Sequence, residues 1–258
     1  MFKQLRDWRE ARKIKKMGFT AEQWESAVAD WSVMERYHGA EREALRKLTF
    51  RLLARKTVLS GAGFQFTDAM CLKLATMACV PILHLGLHWY DHWQTIILYE
   101  GDFVPNRPYR TDDGVVHPRS PGLSGEAWEQ GPVILSWQAI SESGGDTRHG
   151  KASNVVIHEL AHKIDMLRDG ANGAPPMHPD MRPGKWHDIF TAAWDRLEND
   201  LQHHRSLPID DYALTSPAEF FAVCSEAFFE APKTMKQEMP KVYRLLCQFY
   251  RQQPVPLD

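Results

Sequence analysis

Cysteine is scarce in this chain: four in 258 residues, Cys71, Cys79, Cys224 and Cys247. No two stand at zinc-finger or redox-motif spacing, so they read as buried reduced thiols rather than a disulfide framework. Long apolar runs are missing too. No stretch reaches the length that spans a bilayer, and Met1 to Gln23 is rich in charge, unlike a secretory leader. Nor does one sign of charge dominate: 31 Lys and Arg against 33 Asp and Glu leave a net charge of -2, which argues against a protein built to hold a nucleic-acid backbone. Internal repeats and low-complexity segments are absent, and Gly61, Ala62, Gly63 is too short and isolated to cradle a phosphate. The expectation is a cytoplasmic protein with no membrane and no direct nucleic-acid partner, whose 43% hydrophobic content can bury a substantial core.

Against this plain background stands His158, Glu159, Leu160, Ala161, His162. Residues four apart share a helix face, so two neutral imidazoles can reach one zinc ion while Glu159 stands beside it without ligating. That is where a base must stand to take a proton from an activated water, and the pattern points to a metallopeptidase. Ser153 and Asn154 are good cap residues, Val155, Val156, Ile157, Leu160, Ala161, Ile164 and Leu167 form a broad apolar face, and Gly170 is a stop. A mostly buried helix with two histidines and a glutamate needs a reason for them, and zinc supplies one.

The rest of the chain reads as follows. Residues 1–38 read as an N-terminal helical extension with freedom to move, with the basic cluster Arg9, Arg12, Lys13, Lys15, Lys16 on a solvated face and a helix start at Thr20 to Gln23. Leucines at helical spacing mark Ala40 to Lys56, and Asp68 to Ile82 is a second, more apolar helix. His84, His88 and His92 recur every fourth residue, but the β-rich run Thr95 to Tyr99 implies that helix gives way to strand there, so the three do not share a face. Asp102 to Gly125 is a long irregular connection containing His117. Pro132 to Trp137 is a strand whose leading proline suits a sheet edge, and such an edge could take an extended peptide. A single catalytic domain over 39–258 is expected.

Two histidines leave a catalytic zinc one protein ligand short. Asp165 and Arg168 stand where the three-histidine class needs glycine and histidine, so a downstream carboxylate is the natural substitute. Glu219, in Ser216, Pro217, Ala218, Glu219, is the strongest candidate. The same four residues also make a capping box, in which Glu219 only satisfies the helix start. Glu226, two turns on, is an alternative ligand, an outer partner of one, or a solvated carboxylate. Asp165 is either an orienting carboxylate or a solvated one, and spacing leaves all three choices open.

The motif helix, Tyr212 seven residues before Glu219, and Glu219 to Ala222 opening a helix resemble the catalytic domain of anthrax lethal factor. From the Ala40 helix to Tyr250 the chain is similar to the Mlc titration factor A family of bacterial gluzincin metallopeptidases. Leu85 to Tyr90, Trp128 to Pro132, the His158 motif, Pro217 to Phe229 and Cys247 to Tyr250 carry the likeness. The resemblance implies an α+β zincin-like domain, mainly helical, with a small mixed sheet beside the active-site helix. It implies one zinc per chain on His158, His162 and Glu219, Glu159 as catalytic base, Tyr212 as an assisting group, and His117 as a further zinc contact or a free loop histidine. It also implies aminopeptidase-like hydrolysis of a peptide substrate and binding of an Mlc-type transcriptional repressor, or a non-catalytic binding protein with a vestigial zinc site.

Overall fold

The computed structural model describes residues 2–104, 109–110, 116–117, 123–129, 131–144 and 153–257, of which 2–5, 109–110 and 116–117 are described as backbone only. The fold is mixed α+β. Four helices come first: α1 Phe2–Met17, α2 Ala21–Val28, α3 Gly39–Arg55 and α4 Asp68–Cys79. The capping box at Thr20 is complete, with Thr20 Oγ1 accepting from Gln23 N at 3.2 Å and Gln23 Oε1 accepting from Thr20 N at 2.9 Å. That satisfies two amides that the first turn leaves without partners.

The sheet threads between helices. Strands β1 Thr57–Ser60, β2 Thr95–Tyr99, β3 Tyr109–Arg110, β4 Val116–His117, β5 Gly125–Ala127 and β6 Val133–Ser136 are followed by α5 Trp137–Glu142 and α6 Val155–Asp165. The main sheet has the order β1-β2-β6-β5, with β1, β2 and β6 parallel and β5 antiparallel to β6. In β2 only Ile96 and Leu98 are buried, the alternation of a sheet covered more fully on one face. In β6 all four residues are buried, which is why Val-Ile-Leu runs on without alternation. This corrects the edge position expected for Pro132 to Trp137. Pro132 precedes the strand, so its missing N–H breaks no ladder bond, and β6 lies between β2 and β5. Among the described residues β1 and β5 are the two edges. The small β3–β4 ribbon pairs Tyr109 with His117.

Four helices complete the fold: α7 Pro183–Gln202, α8 Pro217–Glu230, α9 Pro232–Glu238 and α10 Pro240–Tyr250. Helix α6 packs on β5, β6 and α8, with nine of its residues buried. Trp24, Val28, Trp31, Val33, Met34 and Tyr37 belong to the same core as α6 and α8. Large side chains from residues 1–38, among them Trp24, Trp31 and Tyr37, are thus sunk among the later helices. No helix among the described residues is long and apolar enough to cross a membrane.

Candidate metal centre

Helix α6 starts where its cap residue dictates. Asn154 Oδ1 accepts from the amides of Val156 and Ile157, both at 3.1 Å, and the helix then presents His158 and His162 on one face. Their Nε2 atoms lie 3.1 Å apart. Glu219 Oε2 stands 2.9 Å from Nε2 of His158 and 3.3 Å from that of His162, and this is the only such trio of metal-ligand residues among the described residues. Ligand atoms about 3.3 Å apart are what a tetrahedral zinc with bonds of about 2.0–2.1 Å requires. Although so close to both rings, Glu219 Oε2 is buried without a well-formed hydrogen bond. The three potential ligand atoms all lie within 4.8 Å of one another, so two imidazoles and a carboxylate fit zinc.

The ambiguity at Ser216 resolves in this geometry. Ser216 Oγ accepts from Glu219 N at 3.2 Å, so the backbone half of the capping box forms, but the Glu219 side chain turns to the histidines. Burial would raise its carboxyl, yet the close approach and charge of His158 and His162 outweigh that and hold it well below the usual range. His158 shows the converse. Burial would lower it, but the carboxylates of Glu226, Glu219 and Glu159 hold it well above its ordinary 6.5.

Glu226 is an outer partner. Its Oε1 lies 2.7 Å from His158 Nδ1 and its Oε2 accepts from Asn154 N at 2.6 Å. Asn154 Nδ2 donates to Glu230 at 2.6 Å, and Glu230 also accepts from Trp31 Nε1 at 2.9 Å. One buried asparagine thus caps the motif helix and fastens it to two carboxylates of α8, which sets the register that brings Glu219 to the histidines. Sequence reasoning missed Asn154 in this second role, and Glu230 and Lys163 altogether. Lys163 is wholly buried. Its ammonium donates to the carbonyls of Trp128 and of Gly131, the latter at 3.0 Å, which pins the turn between β5 and β6, and burial lowers its pKa to about 8.

Glu159 is buried beside the trio, and burial raises its carboxyl to about 6, against the pull of the two histidines. A Cβ at Gly125 on β5 would stand 2.5 Å from Glu159 Oε1, so only glycine lets this strand pass so near. Tyr212 is half exposed, its ring centroid 6.3 Å from that of His158. Burial, then the charges of Glu219 and Glu159, push its phenol to about 12, keeping it a hydrogen-bond donor. Asp165 is fully buried, not solvated, and its Oδ2 accepts from the amides of Asn172 and Gly173 at 2.7 Å each. The His117 side chain and most of the 102–125 connection lie outside the described residues. His84, His88 and His92 go to separate surroundings: His84 pairs with Glu41 at 3.0 Å, His88 packs against Trp89, and His92 is lowered to about 4 by burial near Lys163 and Lys56. A cleft of about 690 Å³ opens behind the first turn of α8, walled by Trp186, Phe190, Trp194, Pro217 and Phe220, and none of the trio lines it.

Comparison with known proteins agrees with this geometry. Residues 5–251 match the family described as glucose-regulated metallo-peptidase M90. The chain belongs to that family. It is 32% identical to Mlc titration factor A of Klebsiella pneumoniae subsp. pneumoniae over 234 residues, covering 90% of this chain and 86% of the relative. Mlc titration factor A of Salmonella choleraesuis is 34% identical over 233 residues, and that of Cronobacter sakazakii 34% over 235, with the same coverage.

Proposed function

We propose that this chain is a zinc-dependent metallopeptidase of aminopeptidase type, acting on peptides in the cytoplasm, with His158, His162 and Glu219 as metal ligands. The observation that carries the reading is the convergence of His158 Nε2, His162 Nε2 and Glu219 Oε2, with a buried Glu159 beside them. Zinc, when bound, supplies Lewis acidity toward a water, bringing its pKa to about 7, and toward a substrate carbonyl. Glu159 accepts the water proton and later delivers it to the leaving amine. A carboxyl poised at about 6 suits both directions of transfer. Tyr212 donates a hydrogen bond to the oxyanion developing on the carbonyl. Glu226 holds the Nδ1 side of His158, leaving its Nε2 free to ligate. An extended peptide adding to the β5 edge would run past Glu159, which supports a peptide substrate.

The test pairs two variants with metal analysis and a chromogenic aminoacyl substrate. Glu159→Gln is expected to retain the metal and lose at least about 100-fold in activity. His162→Ala is expected to lose both. Undiminished hydrolysis by Glu159→Gln would sink the mechanism.

A second role is favoured by the name of the relatives, which describes titration of Mlc. We propose that this chain also binds an Mlc-type repressor. Pull-down of such a repressor by Glu159→Gln separates the roles: retained binding makes the interaction independent of catalysis, and no binding by either form removes it.

A further inference from the structure

A histidine that ligates a metal through Nε2 carries its proton on Nδ1, and when buried that N–H needs an acceptor. For His158 the acceptor is Glu226 Oε1 at 2.7 Å. For His162 no acceptor stands in direct contact among the described residues: its Nδ1 is buried without a hydrogen-bond partner there. Three residues on, Asp165 shows the complementary defect. It is fully buried, its Oδ2 already accepts two backbone amides, and its Oδ1 is buried with no donor among the described residues. A donor lacking an acceptor and an acceptor lacking a donor therefore sit one turn apart on the same helix face.

We infer that Asp165 is a positioning residue of the metal centre, its Oδ1 taking the Nδ1 proton of His162 across a single bridging water while its Oδ2 anchors the loop that seats the Glu219 helix. The first half follows from the paired orphan atoms, which are not in direct contact, and one water between them satisfies both. The second half follows from Gly173. Its amide is held by Asp165, its carbonyl accepts from Trp186 Nε1 at 2.9 Å, and it sits at φ 77° where a Cβ would collide with the carbonyl of Pro217. Pro217 is the first residue of α8 and Glu219 the third. One carboxylate thus orients the second histidine and, through a glycine with no room for a side chain, fixes where the third ligand begins. The two histidines are then each backed by an acid, Glu226 from α8 and Asp165 from α6 itself. This inference rests on the zinc reading above.

The test measures zinc affinity by chelator competition, together with the His162 tautomer in the metal-free protein by long-range ¹H–¹⁵N correlation. Asp165→Asn keeps an oxygen for the Asn172 and Gly173 amides but turns an NH₂ toward His162. It is expected to weaken zinc binding about 10–100-fold and to move the His162 proton from Nδ1 to Nε2. Gly173→Ala leaves Asp165 in place and is expected to weaken zinc binding while the proton stays on Nδ1, which keeps the question open to measurement even if Asp165→Asn folds poorly. Zinc affinity within about twofold of wild type and an unchanged tautomer in Asp165→Asn would overturn the inference, as would a tautomer change in Gly173→Ala. If wild type itself binds no zinc the parent reading fails, and the metal-free tautomer comparison still decides the role of Asp165.

Discussion

Thr20 and Ser216 begin two helices with the same pattern, a hydroxyl residue followed three places later by a residue able to reach back to the cap. At Thr20 the reciprocal pair closes, Gln23 reaching the Thr20 amide at 2.9 Å on an exposed surface. At Ser216 only the hydroxyl half closes, at 3.2 Å, and Glu219 turns instead to two histidines. The local pattern is equally good in both places. Packing differs: α2 offers Gln23 nothing but its own helix start, whereas α8 lies against α6 and offers Glu219 two imidazole nitrogens. A side chain drawn off its local partner in this way marks a site where tertiary interactions have overridden a helix cap.

Breaking the pull on Glu219 should have the largest consequence. Glu219→Gln is expected to lower zinc affinity by more than about 100-fold, beyond what loss of an outer partner costs, while the metal-free helix keeps its Ser216 cap. Isothermal titration with zinc beside a metal-free melt checks both. Tyr212→Phe probes the ring that stands beside His158. It should lose on the order of 100-fold in kcat with zinc affinity unchanged, and an equal loss of metal would move Tyr212 into the ligand set.

Protons sharpen the comparison, since Gln23 cannot titrate and Glu219 with His158 can. In the metal-free protein Glu219 is lowered from 4.5, so its contribution is present above that value and is lost as pH falls through its depressed one. His158 is raised from 6.5, so its contribution is present below that value and is lost as pH rises through its elevated one. The stability advantage of the metal-free wild type over Glu219→Gln is therefore fullest between 4.5 and 6.5. Zinc must displace the His158 proton, so stabilisation by added zinc should grow from about pH 5 to about pH 8. Melting curves with and without zinc across that range would show the two slopes, and a flat zinc response would remove His158 from the site. The smallest effects belong to the caps themselves. Thr20→Ala and Ser216→Ala should each cost roughly 1 kcal/mol of stability, read from denaturant midpoints.

The helices over Ala40 to Lys56 and Asp68 to Ile82, the strand Thr95 to Tyr99 and the motif helix were legible because leucine spacing, caps and β-branched runs are local. The position of β6 was not. A leading proline is compatible with an edge, but a strand buried on both faces shows itself only once its neighbours are in place. Trp24 and Trp31 lie in the stretch expected as an extension, and they are buried because later helices close over them.

Sequence by itself pointed to a metal site: two histidines four apart and an adjacent glutamate share one helical turn, and Asp165 with Arg168 left no third histidine in line. Tertiary structure alone decided which carboxylate does what. Glu219 faces the histidines, Glu226 holds His158 from 68 residues away, and Glu230, Asn154 and Lys163 tie the motif helix to α8 and to the β5–β6 turn. These roles depend on the register of one helix against another, which is set by packing over the whole core rather than by any neighbouring residues in the chain.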